Sequence, residues 1–388
     1  MLNKWPNYEE DEIKAVSDIL MSGNVISFNG ALGLEFEKEF SKFCDCKYSL
    51  TLSNGTAALL SAYKSIDLGP EDEIITTPRS FVATASAALE LGAKPIFADV
   101  DLNSGCITAE SIRPMISDKT KAISVVHLAG WPAEMEEIQY LAKKNNLFVI
   151  EDCSQAHGAE INGKSVGSFS DIATWSFCAD KIISTGGEGG MISTNNQALR
   201  DIIWSYRNHG KSEHKLENFQ KNNFLYKWIH DKIGINLRLT EMQSAIGLIQ
   251  LKKIKKWQEV RTKNANVFIE KLSDISCVRI PKPFPNIKHA WYKFYLYIIE
   301  NKLKRNWTRD LIIEEINKNG FPAFQGSCGE LYLENCFKKT SSTIRSLKNA
   351  RSLSSTSIML LVHPTITNSQ ILDYASCVRN VLNRASKF

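Results

Sequence analysis

The sequence predicts an α/β protein with a large lobe built on a mostly parallel sheet and a smaller α+β lobe. Between residues 48 and 194, short runs rich in β-branched and aromatic residues alternate with helix-like stretches, as parallel strands joined by crossover helices do. The 388 residues are 43% hydrophobic, so the chain can bury a large core and more readily forms two lobes than one. The seven predicted strands are 48–53, 73–77, 95–99, 122–127, 147–151, 172–177 and 189–193.

Two helices outside this alternation are predicted from their end signals and apolar faces. The first runs near 8–22, with Asn7 as its cap and Gly23 as its stop. The second is a long amphipathic helix from Glu241 to Trp257, and we expect it to link the two lobes.

The division into lobes follows from this linking helix. We expect a large lobe over residues 1–257 and a small lobe over residues 258–388, with the proline-rich run Pro281–Pro285 near their boundary. The predicted elements of the small lobe are a strand at 292–299, a helix at 308–319, a strand at 357–362, and a final helix at 369–384 capped by Asn368 or Ser369.

Lys181 is the first candidate for chemistry. It lies between the strand-like run Ile172–Phe177 and the glycine cluster Gly186–Gly190. Most lysines are only solvated surface groups, so the residue type alone carries little weight. Its position just beyond a strand end, where α/β proteins bind ligands, makes Lys181 a candidate site residue.

Asp152 is the second candidate. The apolar run Leu147–Ile150 is typical of a buried parallel strand, and Glu151 and Asp152 come at its carboxyl end. An aspartate ordinarily carries a negative charge at neutral pH, so it can hold a proton on a nearby ring nitrogen. Taken alone, a helix cap or a solvated strand end explains Asp152 equally well.

The segment Ser53–Thr56 is the third candidate. It follows a predicted strand and opens the alanine-rich stretch Ala57–Ala62, which is typical of a helix. The first N–H groups of a helix lack internal partners and readily bind a phosphate. An ordinary Asn-Gly turn remains the alternative for so short a segment.

Together these features predict a site for pyridoxal 5'-phosphate (PLP). PLP needs a lysine that holds it as a Schiff base, an acid at its ring nitrogen and a backbone cradle for its phosphate. Lys181, Asp152 and the segment Ser53–Thr56 supply these three groups.

Further motifs, in this order and spacing, extend over most of the chain. The sequence resembles the DegT/StrS family of PLP-dependent sugar aminotransferases, which have the fold-type I architecture of the aspartate aminotransferase superfamily. The motifs that carry the resemblance are Ser53–Leu59, Gly69–Ile75, Pro78–Thr84, Glu151–Ala159, Gly187–Gly190, Arg207–Gly210, Asn236–Arg238, Gln243–Gly247 and Gln250–Leu251.

The resemblance implies a role for each matching residue. It also implies a homodimer with shared sites, because Asn236 takes a position that reaches the phosphate of the neighbouring subunit. From the residues alone, Phe81 is as well explained as a core aromatic, Ser176 as a strand-end hydroxyl and Asn236 as a turn residue. The implied cofactor contacts are Lys181 (Schiff base), Asp152 (ring nitrogen), Gln155 (ring hydroxyl), Phe81 (ring face), and Gly55, Thr56, Ser176 and Asn236 (phosphate).

The implied activity is transamination. An amino acid, L-glutamate on family grounds, donates its amino group through pyridoxamine 5'-phosphate to a nucleotide-linked ketosugar, most often a 4-keto-6-deoxyhexose, for surface polysaccharides such as lipopolysaccharide O-antigen. His209, Arg238 and His363 are the expected substrate contacts. The alternatives are a ketosugar dehydratase, whose relatives carry His in place of the lysine, and a non-catalytic regulator or binding protein of the same fold.

Composition excludes several other classes of partner. The net charge of +5 is small and no basic block is present, so we expect no nucleic acid partner. No apolar run reaches the roughly 18 residues of a membrane span. Nine cysteines, an odd number, indicate reduced thiols in a cytoplasmic protein. Cys44 and Cys46 have no second Cys/His pair at zinc-site spacing, so no metal is expected.

Overall fold

A seven-stranded sheet forms the centre of the large lobe. The computed structural model describes residues 2–28, 30–216, 228–338 and 347–387. All seven predicted strands are present, each shifted by no more than a few residues at its ends. They are β1 (Tyr48–Leu52), β2 (Glu73–Thr76), β3 (Lys94–Phe97), β4 (Thr120–Val126), β5 (Phe148–Asp152), β8 (Ile172–Ser176) and β9 (Gly190–Thr194), with β6 (Glu160–Ile161) and β7 (Lys164–Ser165) lying outside this sheet.

The order and direction of these strands define the edge at which the site forms. The order across the sheet is β1-β9-β8-β5-β4-β2-β3. β9 is antiparallel to both of its neighbours, while β8, β5, β4, β2 and β3 pair in parallel, so six strands share one direction. Their carboxyl ends therefore lie along one edge, and β9 begins at that same edge.

Helices precede and connect these strands. The opening helix ends at Gly23, whose φ of 72° is left-handed, as predicted. Its predicted cap was wrong, because the helix starts later and the Glu9 N–H donates to Glu12 Oε2 at 2.7 Å. The large-lobe helices are α1 (Glu10–Ser22), α2 (Leu32–Phe43), α3 (Gly55–Ser65), α4 (Ala83–Leu89), α5 (Ala109–Ile112), α6 (Met135–Lys144) and α7 (Gln197–Arg207), with 3₁₀ turns at Arg113–Met115 and Leu128–Gly130.

The linking helix, α8, runs from Glu241 to Leu272 and has 32 residues. The predicted end at Trp257 was wrong. Gln258, Arg261 and Asn264 are buried polar residues that interrupt the apolar stripe. The second half of the helix therefore lacks the apolar periodicity from which a helix is predicted. The proposed lobe boundary at residue 257 thus falls inside a continuous helix. None of the helices in the described ranges, even one of this length, has the apolar character that a membrane crossing requires.

The small lobe is built on an antiparallel sheet covered by helices. Its predicted strands and helices are present, but the cap of the last helix is Thr367, whose side chain accepts the N–H of Gln370. The two-residue strands carry too little pattern for prediction. The elements are β10 (Val278–Arg279), β11 (Ile287–Lys288), β12 (Phe294–Ile298), α9 (Arg309–Lys318), β13 (Ala323–Phe324), α10 (Asn335–Lys338), α11 (Lys348–Thr356), β14 (Ser357–Leu360) and α12 (Asn368–Ala385), with 3₁₀ turns at Glu300–Lys302 and Leu331–Leu333.

Two sheets contain these shorter strands. The small-lobe sheet has the order β10-β12-β14-β13, and all its pairs are antiparallel. A third sheet has the order β11-β6-β7, so a strand that follows α8 pairs with one from the large lobe. This pairing holds the segment that precedes β12 against the region just beyond β5.

A close helix contact fixes α8 on α2. A Cβ atom at Gly247 would lie 2.5 Å from the ring of Phe36, closer than real Cβ contacts come. Phe36 is fully buried and packs on Phe40 and Phe177, with ring centroids 5.9 and 5.4 Å away. The ring therefore has little room to move, and the contact requires glycine.

We predict that Gly247→Ala destabilises the protein. Alanine favours helix by up to about 1 kcal/mol, but overpacking against a fixed ring costs about 1–3 kcal/mol. The net result should be a lower melting temperature in a thermal unfolding scan. Gly69→Ala is the matched control, since a Cβ there meets no atom within 4 Å. A Gly247→Ala protein that melts at or above the wild-type temperature would contradict the contact.

Candidate active site

The start of α3 forms an anion cradle at the edge where the strands end. Asn54 caps the helix, with its side chain accepting the Ala57 N–H at 2.8 Å, while its carbonyl accepts the Ala58 N–H at 3.1 Å. The N–H groups of Gly55 and Thr56 precede these and have no partner within the helix. Such free N–H groups at a helix start bind a phosphate.

Two close approaches place the end of β8 and the start of β9 against this cradle. A Cβ at Gly55 would lie 2.7 Å from Ser176 Cβ and 3.0 Å from its hydroxyl. A Cβ at Gly190 would lie 2.3 Å from the Asn54 carbonyl oxygen. The structure thus brings together Gly55, Thr56 and Ser176, three of the predicted phosphate contacts, and both glycines are needed for the approach.

Asp152 ends β5 and is 4% exposed. The Thr84 hydroxyl donates to its Oδ2 at 2.8 Å, and the Ser154 N–H donates to its Oδ1 at 3.1 Å. The Ser80 hydroxyl lies 3.3 Å from that of Thr84. Two donors therefore fix the orientation of the carboxylate. Sequence reasoning did not assign Thr84 this role, although it closes the Pro78–Thr84 motif.

Lys181 follows β8 in a loop held close to the small lobe. Its side chain is 15% exposed, and its Nζ lies 3.4 Å from Tyr292 Oη and 3.8 Å from Asp180 Oδ1. The Trp5 indole donates to the Lys181 carbonyl at 2.8 Å. The amine is thus nearly enclosed, and its contact with the Asp180 carboxylate, at 3.8 Å, is long for an ion pair.

Gln155 and Phe81 occupy different surroundings. Gln155 is buried, and its Oε1 accepts the Ala129 N–H at 2.7 Å, which ties the segment after β5 to the turn after β4. Phe81 is 66% exposed in the loop between β2 and α4. Phe81 directly follows Ser80, whose hydroxyl lies against the Thr84 hydroxyl that donates to Asp152. A phenyl ring this exposed can stack on a flat ligand. The core alternative for Phe81 is therefore wrong.

Asn236, Arg238 and His209 lie together on an exposed part of the large lobe. Asn236 forms an isolated antiparallel bridge with Asn208, and Arg238 Nη1 donates to Asn208 Oδ1 at 3.3 Å. The His209 N–H donates to the Ile235 carbonyl at 3.2 Å. In the described part of the chain, no contact joins these three side chains to Lys181 or Asp152 of the same protomer.

His363 is more enclosed than a typical substrate contact. It is 6% exposed, its Nδ1 lies 2.9 Å from the Thr365 hydroxyl, and its ring is roughly parallel to that of Trp5 at 6.3 Å. Burial, together with Arg261 and Lys293, lowers the pKa of His363 to about 3. Its role in substrate binding stays a prediction.

The structure adds three charged or polar neighbours of Lys181 that sequence reasoning missed. Asp180 lies between Lys181 and Lys293, and the Tyr292 hydroxyl donates to its carboxylate. Burial lowers the pKa of Lys293 to about 8 and raises that of Tyr292 well above its usual value. Tyr292 and Lys293 are more than 100 residues from Lys181 along the chain, so no local pattern signals their proximity.

Glu151 and His127 form a buried pair beneath Asp152. Their side chains meet at 2.9 Å, and Glu151 also accepts N–H groups from Gly167, Phe169 and Ser170. Burial alone would raise the pKa of Glu151, but the contact with His127 and these hydrogen bonds hold it below its usual value. Cys153 lies close enough to suggest a metal site. The carboxylate oxygens, however, already accept these bonds, so we assign the pair a structural role.

The arrangement fits PLP on the chain's own evidence. The free N–H groups of Gly55 and Thr56 suit a phosphate, the fixed carboxylate of Asp152 suits a ring nitrogen, and the enclosed amine of Lys181 suits a carbonyl carbon. All three lie at the carboxyl edge of the sheet.

Comparisons with known proteins point to one family. The profile of the DegT/DnrJ/EryC1/StrS aminotransferase family matches residues 6–379. The chain is 35% identical to a GDP-perosamine synthase from Escherichia coli O157:H7 over 74% of this chain and 76% of that protein. It is 35% identical to a dTDP-3-amino-3,6-dideoxy-alpha-D-galactopyranose transaminase from Aneurinibacillus thermoaerophilus over 76% of this chain and 77% of that protein.

A solved structure is similar along its whole length. The X-ray structure of an aminotransferase from Psychrobacter cryohalolentis superposes with a TM-score of 0.97 at 42% identity, covering 99% of this chain and 100% of that one. The predicted fold class is confirmed by this match. Because the family profile spans nearly all residues, the chain belongs to the DegT/DnrJ/EryC1/StrS aminotransferase family, and the predicted enzyme class and PLP cofactor are confirmed with it.

Proposed function

We propose that this enzyme transfers an amino group from an amino acid, L-glutamate, to a nucleotide-linked ketosugar in the biosynthesis of amino sugars for surface polysaccharides. One observation carries the proposal of PLP chemistry at this edge. The anion cradle at Gly55, the fixed carboxylate of Asp152 and the enclosed amine of Lys181 come from three strand ends that meet at one edge.

The names of the relatives support the substrate class. One acts in the synthesis of GDP-perosamine and another forms a dTDP-linked 3-amino-3,6-dideoxygalactose. These names span two nucleotides, so we propose the class rather than one nucleotide. Within it we propose a 4-keto-6-deoxyhexose, with the 3-keto sugar as the other candidate.

Each residue has a distinct task in this proposal. When bound, the cofactor supplies an electron sink for the carbon that loses a proton. Gly55, Thr56 and Ser176 bind the phosphate, and the Asp152 carboxylate holds a proton on the ring nitrogen. The Lys181 amine holds the cofactor and then, once released, moves a proton at the reacting carbon, where its proximity supplies much of the rate gain.

We propose a homodimer with shared sites. Trp228 and Ile233 are 87% and 93% exposed, and both precede Asn236 closely in the sequence. Large exposed apolar side chains in one segment are typical of protein interfaces. We propose that a second copy of the chain covers this region and that Asn236 there contacts the cradle of the partner subunit, as the family resemblance implies.

We also propose a cytoplasmic location. All nine cysteines are free, and Cys44, Cys106, Cys153 and Cys277 are buried. Proteins of oxidising compartments commonly pair their cysteines, so free thiols in this number support a reducing environment.

Lys181→Ala should abolish transamination. The protein should still fold, because removing one amine from a cleft costs little packing. The measurement is turnover with glutamate and a panel of nucleotide ketosugars, together with borohydride reduction of the loaded enzyme and peptide mass spectrometry to find the modified lysine. Lys282→Ala, at an exposed lysine, is the control and should keep full activity. Wild-type turnover in Lys181→Ala, or cofactor attached to another lysine, would reject the assignment.

Gly55→Ala should weaken cofactor binding by about 10-fold or more. The new Cβ must push Ser176 away from the cradle, which costs about 1–3 kcal/mol and misplaces the phosphate contacts. Fluorescence titration of the cofactor-free protein with PLP measures the affinity. Gly69→Ala serves again as the control. Equal affinity in the two variants would show that the phosphate lies elsewhere.

Mixed dimers should recover activity from two inactive variants. Lys181→Ala disables its own site, and Asn236→Asp sets a carboxylate against the partner's phosphate. In a heterodimer one site carries both defects and the other carries neither. Random mixing of equal amounts gives about half heterodimers and so roughly a quarter of wild-type activity. Verified heterodimers without activity would mean that each site is built within a single chain.

A further inference from the structure

The residues that precede α1 form a clasp, residues 2–8, between the small lobe and the loop after β8. Leu2 packs against the core of the small lobe. The Asn3 side chain donates to the Thr365 carbonyl at 2.8 Å, and the Thr365 hydroxyl donates to the Lys4 carbonyl at 2.9 Å. One end of the clasp is therefore fixed to the segment between β14 and α12.

The other end of the clasp is fixed to the loop after β8. The Trp5 indole N–H donates to the Lys181 carbonyl at 2.8 Å. Among the described residues, this indole is the one donor to that carbonyl. Farther along the clasp, the Tyr8 hydroxyl lies 3.0 Å from that of Ser184. The clasp thus bonds to the loop at two points, and one of them is the residue proposed to hold the cofactor.

The Trp5 ring is held from several sides. It meets the Trp257 ring edge-on, with centroids 5.1 Å apart and ring planes at 89°. The His363 ring lies roughly parallel to it at 6.3 Å, and the Arg261 guanidinium is 5.3 Å from the ring centroid. These contacts come from both α8 and the small lobe. They leave the ring little freedom to turn, so the indole N–H keeps a fixed direction.

A directional restraint matters at Lys181 because a lysine side chain is long and flexible. Ile182 and Ile183 are fully buried and anchor the residues that follow, but apolar packing has no preferred direction. The Lys181 N–H donates to the Cys178 carbonyl at 3.0 Å, which orients the peptide before the lysine. The Trp5 indole orients the peptide after it. Together these two hydrogen bonds set the direction in which the side chain leaves the backbone.

We propose that Trp5 is a positioning residue that holds the Lys181 backbone so that the amine reaches both the cofactor and the reacting carbon. The inference rests on the proposed role of Lys181 and deepens it. Trp5 acts through the Lys181 carbonyl and takes no part in the proton transfer itself. Such restraint matters because a displacement of about 1 Å at a reacting group lowers a rate by up to about 100-fold.

The first test measures hydrogen–deuterium exchange in the full-length protein without cofactor. Trp5→Phe removes the N–H donor but keeps an aromatic ring. Trp257→Phe is the matched control, because it removes an indole from the same group of rings while the donor to Lys181 stays. Amides of the loop 178–185 should exchange about fivefold faster in Trp5→Phe and within about twofold of wild type in Trp257→Phe.

The loaded enzyme gives a second readout. In Trp5→Phe the maximal rate of the glutamate half-reaction should fall by about fivefold or more. The glutamate concentration that gives half this rate should stay within about twofold of wild type, because a misplaced amine slows the reaction without weakening donor binding. Trp257→Phe should keep both values.

Replacing Trp5 by benzothienylalanine isolates the hydrogen bond, because this residue has the shape of tryptophan with sulfur in place of the N–H group. It should give the same losses as Trp5→Phe, and it serves as the test if Trp5→Phe does not fold.

Unchanged exchange in these Trp5 variants, or equal losses in Trp257→Phe, overturns the inference. Faster exchange with an unchanged half-reaction also overturns it, since the bond then restrains the loop without positioning the amine. Failure of the proposed function looks different, because the borohydride experiment then places the cofactor away from Lys181 whatever the exchange of the loop.

Discussion

The common direction of six strands is the constraint on which the site depends. Because β1, β5 and β8 run the same way, the cradle at Gly55, the carboxylate of Asp152 and the hydroxyl of Ser176 are delivered to one edge. The reversed strand β9 contributes as well, since its first residue, Gly190, allows the Asn54 carbonyl to approach. A side chain at Gly190 would separate strand and helix and displace the cradle from the sheet.

Buried polar residues on α8 hold the small lobe against this edge. Gln258 donates to the His157 carbonyl at 2.8 Å, just beyond β5, while Arg261 donates to the carbonyls of Trp291 and Tyr292 ahead of β12. Asn264 donates to the Val362 and His363 carbonyls at 3.4 Å. Each satisfies loop carbonyls that would otherwise be buried unpaired, so one helix face serves both lobes. This explains why the face is polar and why the helix escaped prediction past Trp257.

The sequence was informative wherever a function follows directly from a local pattern. Strand periodicity located all seven strands, and a strand end followed by glycine and a helix start located the cradle. The sequence did not predict the contacts that form between segments distant along the chain. Tyr292 and Lys293 reach Lys181 only because β12 pairs in the small-lobe sheet and α8 fixes that sheet in place. The predicted caps of the first and last helices were wrong for a similar reason. Glu9 and Thr367 cap these helices through reciprocal contacts with the residue three positions later, and residue preference alone does not predict such contacts.

Two parts of the proposed site differ in whether their groups change charge with pH. The proposed phosphate cradle presents backbone N–H groups, which carry no net charge and cannot titrate. The Lys181 amine instead lies near groups that do titrate, namely Asp180, Lys293 and Tyr292. The charge of the cradle therefore stays the same across a pH range in which the charges of those side chains change. A cradle built from lysines would couple the two, because each would respond to the same change in pH.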